Sequence, residues 1–172
     1  MIEVLETDSP KGGLEEPGWS KVSADDRPES WRALELTYPD GDVRRVFLAR
    51  GWSDLTVAPT GVGDSTIMVL NGWAYVLLPS KQILTVPCAG PSFETIMLCP
   101  RGAILTYSIC VAVVTTEGTI LYDGSVAHDD FEVLSADEHT MYCTGIHKVR
   151  CQEETWEIKF DDIPEFKNPE RS

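Results

Sequence analysis

Positive charge is what this 172-residue chain is short of. It has 14 lysines and arginines against 28 aspartates and glutamates, a formal net charge of −14, and only three histidines. A field of that sign repels phosphate backbones and anionic lipid, which argues against direct binding to nucleic acid or to a membrane and in favour of a cationic partner. Long apolar runs are missing too, none approaching the ~18 residues of a membrane-spanning helix. The start, Met1-Ile2-Glu3-Val4-Leu5-Glu6-Thr7-Asp8, places acids where a secretory signal has bases and then an apolar block, which predicts a cytoplasmic protein.

Catalytic signatures are also lacking. Gly61-Val62-Gly63 has no third glycine and no helical pattern behind it, and no Gly-Lys-Ser/Thr occurs, which excludes the dinucleotide and P-loop phosphate sites. The five cysteines, Cys88, Cys99, Cys110, Cys143 and Cys151, are an odd number with no Cys-x-x-Cys pair, so reduced thiols packed as small hydrophobes are expected. Cys88, Cys99 and Cys110 are evenly spaced, but no histidine lies between residues 51 and 125 and the nearest bases, Lys81 and Arg101, fall in turn sequences, so nothing activates a thiolate. His139, Cys143, His147 and Cys151 recur at intervals of four. On a helix neighbouring pairs could share a metal. However, Gly145 and the β-branched Thr140, Thr144, Ile146 and Val149 predict a strand, on which four residues span ~13 Å and scatter the ligands. Asp123, His128, Asp129 and Asp130 are the densest mixture of carboxylates and imidazole; ahead of Phe131 they read as a solvated strand boundary. The expectation is a protein with no enzymatic activity, no metal and no cofactor. A small β-barrel enzyme using His128, Asp130 and His147 on a small molecule is the alternative of a different class, and a structural module that makes contacts through strand edges is another.

What is present is turn chemistry between short apolar stretches. Trp31 to Tyr38 and Val43 to Ala49 flank Pro39-Asp40-Gly41-Asp42, and Thr66 to Leu70 and Trp73 to Leu78 flank Asn71-Gly72, the pair that tolerates positive φ at both centres of a tight hairpin turn. Leu77 to Leu84, Leu98 to Leu105 and Val113 to Leu121 share one plan: an apolar pair, a polar turn, then Ile-Leu. Phe131 to Leu134, Thr140 to Ile146 and Thr155 to Phe160 read as further strands, and no window of ~11 residues keeps a 3.6-residue period. The prediction is an all-β chain, an antiparallel sandwich or barrel-like assembly of roughly ten short strands with little helix. Over about residues 66 to 160 the recurring hairpins and Leu121-Tyr122-Asp123-Gly124 resemble blades of β-propeller proteins. A closed ring of about four blades needs ~160 residues or more, so the resemblance implies local hairpin grammar only.

Length predicts one domain: a polar arm over residues 1–30, a β domain over 31–163 and a polar tail over 164–172. Trp19, Trp31, Trp52, Trp73 and Trp156 read as core and edge anchors. Half of the net charge, −7, falls in residues 126–172. The expected partner-binding residues are therefore Asp129, Asp130, Glu132, Asp137, Glu138, Glu153, Glu154, Glu157, Asp161 and Asp162. Period-two alternation turns Glu157 to solvent and Trp156 to the core. Clustered acid repels itself and speeds association with a basic protein. In size, acidity and lack of catalytic motif the chain is similar to immunity proteins that block bacterial toxins such as nucleases, whose basic active sites acids would plug as phosphate mimics. Plain solubility is the competing account.

Overall fold

The computed structural model describes residues 1–172 apart from 25–27, 29, 52, 88–92 and 168–172, so Trp52 and Cys88 lie outside the described residues. Strands take 57% of it and 3-10 turns 4%, the β-rich, helix-poor outcome that the turn-punctuated sequence predicts. Among the described residues the strands number fifteen, more than expected, and none of their sheets closes into a barrel; a sandwich-like arrangement fits. No helix among the described residues is long and apolar enough to cross a membrane. The chain divides into two compact units, Met1–Val86 and Pro87–Ser172, each built from two sheets.

In the first unit β1 (Glu3–Glu6), β2 (Trp19–Val22), β3 (Ser30–Thr37) and β4 (Val43–Arg50) form one sheet in the order β1-β3-β4-β2. The pairing of β2 with β4 is parallel, a departure from the antiparallel expectation. The supposed polar arm thus supplies two strands. Their polar side chains line sheet edges, while Ile2 is buried, its N–H donating to Thr66 Oγ1, and Trp19 stacks on Phe47 at 4.7 Å. The second sheet is a meander of β5 (Val57–Val62), β6 (Ser65–Leu70), β7 (Trp73–Leu77) and β8 (Ile83–Thr85). The Tyr75 hydroxyl, donating to Ala49 O at 2.8 Å, ties the two sheets together. Asn71 and Gly72 have φ of +52° and +89°, as their hairpin turn requires.

In the second unit β9 (Phe93–Cys99), β10 (Gly102–Tyr107), β11 (Val111–Thr115) and β12 (Ile120–Asp123) form a four-stranded meander. Next come β13 (Asp129–Ala136), β14 (Thr140–Ile146) and β15 (Glu153–Lys159), a meander of three. Ile104, Val111 and Val113 from the first meander meet Phe131, Val133, Met141 and Cys143 from the second in one core, closed by Phe160. The start of the supposed tail joins in, since Phe166 N–H donates to Ile120 O and Tyr122 N–H to Pro164 O.

Two of the three sequences that share the apolar-pair plan share a turn with the β3–β4 hairpin, whereas Leu98 to Leu105 turns through Pro100-Arg101 alone, with Cys99 paired to Gly102. At Tyr38–Asp42, Leu78–Gln82 and Thr115–Thr119 the first residue's N–H donates to the fifth residue's carbonyl, and the fourth residue's N–H donates back to the first. That fourth residue is left-handed in every case: Gly41 at φ +83°, Lys81 at +69° and Gly118 at +82°. The geometry is a tight turn completed by a left-handed residue that restores strand twist. Lys81 alone has a side chain there, and its Nζ reaches Asp40 at 2.9 Å and Asp42 at 2.8 Å on the β3–β4 turn.

Candidate acidic surface

The three-stranded sheet carries most of the predicted acid, and strand periodicity decides where each carboxylate goes. Phe131, Val133, Met141 and Cys143 face the core, with Trp156 and Ile158 half-buried along the same side. Glu132, Tyr142, Glu153, Glu157 and Lys159 face solvent. Thus Glu157 is exposed as expected, whereas Trp156 is only half-buried. Its ring packs 6.0 Å from Phe131 and edge-on to His147 at 5.4 Å.

The strand ladder is interrupted where the acid is densest. Between Asp129, which pairs with Ile146, and Glu132, which pairs with Thr144, β13 carries an extra residue. Asp130 sits there at φ +52°, its N–H donating to Asp129 Oδ1 at 3.0 Å. Opposite lies Gly145 at φ +145°, where an added Cβ would come within 2.7 Å of Asp130 O and 3.1 Å of Asp129 O. The bulge therefore depends on glycine, and by bending β13 it projects Asp129 and Asp130 into solvent. Beside it is a cleft of about 340 Å³ lined by Asp130, Glu132, Gly145, Ile146, Cys151 and Glu153. Glu94 of β9 joins this group. Partial burial, then the charges of Asp130, Asp129 and Glu132, hold its carboxyl above the usual range against a hydrogen bond from Ser108.

The predicted residues do not form one face. Asp129, Asp130, Glu132 and Glu153 gather at the bulge. Asp137 and Glu138 lie in the β13–β14 turn, and Asp161 and Asp162 in the 3-10 turn after β15, at the other end of the sheet. The length of β14 separates the two groups by ~20 Å. Asp137 is committed to its turn, accepting from the N–H groups of His139 and Thr140 at 2.8 Å, which hold its carboxyl below the usual range. Asp137 in turn raises the Tyr142 phenol. Glu154 lies on the inner side: Oε2 accepts from Arg150 at 2.7 Å, and Oε1 is buried 3.4 Å from His147 Nδ1 without a hydrogen bond. Val149 N–H donates to that same nitrogen. Asp161 touches Arg101 at 4.0 Å. Asp129, Asp130, Glu132, Glu138, Glu153, Glu157 and Asp162 have no cation within salt-bridge distance among the described residues.

The remaining constellations disperse. His139 and His147 stand at opposite ends of β14, and Cys143 between them faces the core, its thiol pushed up to about 12 by burial. Among the described residues no group of three or more His, Cys, Asp and Glu could hold a metal. Asp123 caps its own turn through Ser125 N–H, and His128 is exposed with its backbone N–H on Ile146 O. Sequence reasoning missed Glu94, which stands alone in an apolar stretch, and the bulge, whose one local signal is Gly145 inside a strand pattern. No family model matches the chain, no curated protein matches its sequence, and no solved structure matches its fold.

Proposed function

We propose that this chain is a binding protein whose second unit docks a basic protein through the carboxylates of its three-stranded sheet. A toxin, such as a nuclease neutralised by an immunity protein, is the most concrete partner. The observation that carries the reading is the set of exposed, unpaired carboxylates around the bulge and its cleft. Unpaired exposed acid costs the fold self-repulsion and leaves its field free to steer a cationic surface. A nuclease active site must be basic to hold phosphate, and carboxylates at a cleft rim would occupy it competitively.

The test is capture from a host lysate on immobilised protein, with salt elution, followed by binding kinetics on the protein retained. Reversing Glu132 and Glu153 to Lys should slow association by about tenfold or more at low salt, with the difference shrinking as salt rises past physiological strength. Retention of one basic protein whose association rate ignores both the reversals and the salt would sink the reading.

A further inference from the structure

The three-stranded sheet is one strand short of the other three, and its open edge has a defined chemistry. The hydrogen bonds from His147 N–H to Gln152 O and from Phe160 N–H to His139 O fix the phase of the β14–β15 ladder. With the register that pairs Gly145 with Glu154 and Cys143 with Trp156, the backbone groups of Glu154, Trp156 and Ile158 point at β14. Those of Glu153, Thr155, Glu157 and Lys159 point away from it, and no other strand pairs with them among the described residues. The same four side chains are exposed, whereas Trp156 and Ile158 on the opposite side are left half-covered at the edge. At the far side of the sheet, β13 is held by Phe131 N–H donating to Ser108 O.

The geometry points to β15 as the acceptor for an extended basic strand of the partner, added antiparallel to its free edge. This rests on the reading of a basic partner and says which segment of it docks. Main-chain hydrogen bonds would supply the common part of the affinity and alternate side chains the selectivity. Residues opposite Glu153 and Glu157 would be Lys or Arg, and opposite-charge pairs across strands stabilise the pairing. Residues opposite Trp156 and Ile158 would be apolar and would cover both rings and branches. A second copy of this chain fits worse, because it brings another β15 of charge −2 on a body of −14.

The probe is the peptide acetyl-EVKVTVK-amide, which places Lys opposite Glu157 and Glu153, Glu opposite Lys159, and Val opposite Ile158 and Trp156. In amide NMR spectra it should shift and protect the N–H groups of Glu153, Thr155, Glu157 and Lys159, and the scrambled acetyl-KKEVVVT-amide should not. Thr155→Pro removes an outward N–H and leaves the β14 ladder intact, so it should weaken binding by about tenfold or more. As a second arm that alters no backbone group, Glu153→Lys with Glu157→Lys should transfer preference to acetyl-EVEVTVE-amide. Equal binding of both original peptides, insensitive to Thr155→Pro, would overturn strand addition while leaving the basic-partner reading standing. No shift at any of the four amides would also overturn it, and the lysate kinetics would judge the wider reading independently. A dimer in light scattering that Thr155→Pro dissolves would replace the basic strand by a second copy.

Discussion

The two units handle acid in opposite ways on similar sheets. The first holds 13 acids and 8 bases, net −5, and five of its carboxylates among the described residues find cations: Glu6 with Arg32, Glu15 with Lys21, Glu35 with Arg45, Asp40 and Asp42 with Lys81. The second holds 15 acids and 6 bases, net −9. One of its lysines, Lys148, spends its ammonium on Ser125 O and not on a carboxylate. The pairs of the first unit are solvent-exposed and contribute little each, so their meaning lies in the field: they cancel charge locally, and the second unit, where only Glu154 and Asp161 have a lysine or arginine partner among the described residues, leaves most of it standing. Both units share the same turn geometry and meander pattern, so the difference is not imposed by the fold. It comes from which residues occupy the solvent-facing positions, where sequence is free to vary without cost to the core.

The largest expected effect removes the platform beneath the unpaired acid. Phe131→Ala should cost about 3–5 kcal/mol in denaturant unfolding, because its ring is fully buried among both sheets of the second unit. Gly145→Val should cost about 2–3 kcal/mol through its left-handed backbone and the contact with Asp130 O. It should also flatten the bulge, which amide shifts at Asp129 and Asp130 would report. Trp156→Ala should cost about 2 kcal/mol, below a full core truncation because the indole is half-exposed; a loss as large as that of Phe131→Ala would mean the sheet edge is covered in solution.

Acid pH should separate Glu94 by sign from the carboxylates that Lys81 holds. Glu94 titrates above its usual 4.5 when folded, chiefly through partial burial. The folded state thus binds that proton more tightly than the unfolded chain, and the Glu94 contribution to stability rises as pH falls through the raised value, opposite in sign to that of Asp137 in the same unit. Asp40 and Asp42 titrate below their usual 3.8 because Lys81 hydrogen-bonds their charged forms. Their contribution is complete above 3.8 and is lost only at lower pH. Carboxyl carbon NMR titration should place Glu94 highest of the three; the reverse order would break the contrast. Smallest of all, Glu157→Lys should move stability by about 0.5 kcal/mol or less, since it changes an exposed side chain on an edge strand.

Hairpins were legible where a turn needs a particular residue, as at Asn71-Gly72 and Gly41, and strands where apolar pairs flank such turns. β1, β2 and β5 were not. Four polar-rich residues show no alternation, and Pro59 and Gly61 disguise β5, which tolerates them because it is an edge strand. For the site, period two correctly exposed Glu157, but the strand begins at Glu153, two residues before the expected start, and the same rule carried back places Glu153 outside and Glu154 with Trp156 on the inner side. Charge density alone had grouped it with the others. The division of the acid between two ends of the sheet follows from β14 lying between its turns, which a linear tally of charge cannot display.

The pairing order β1-β3-β4-β2 has a kinetic side. Every other sheet joins strands adjacent in sequence, so each can close hairpin by hairpin at low loop-closure cost. β1 must wait for β3, more than twenty residues on, and β2 pairs only once β4 is in place. During synthesis the segment carrying β1 and β2 is therefore held without its complete sheet until Arg50 has emerged. The β3–β4 hairpin becomes the template on which the N-terminal strands dock late, and truncating residues 1–22 should slow folding far less than it lowers stability, because strands that join after the rate-limiting step add mainly to the barrier against unfolding.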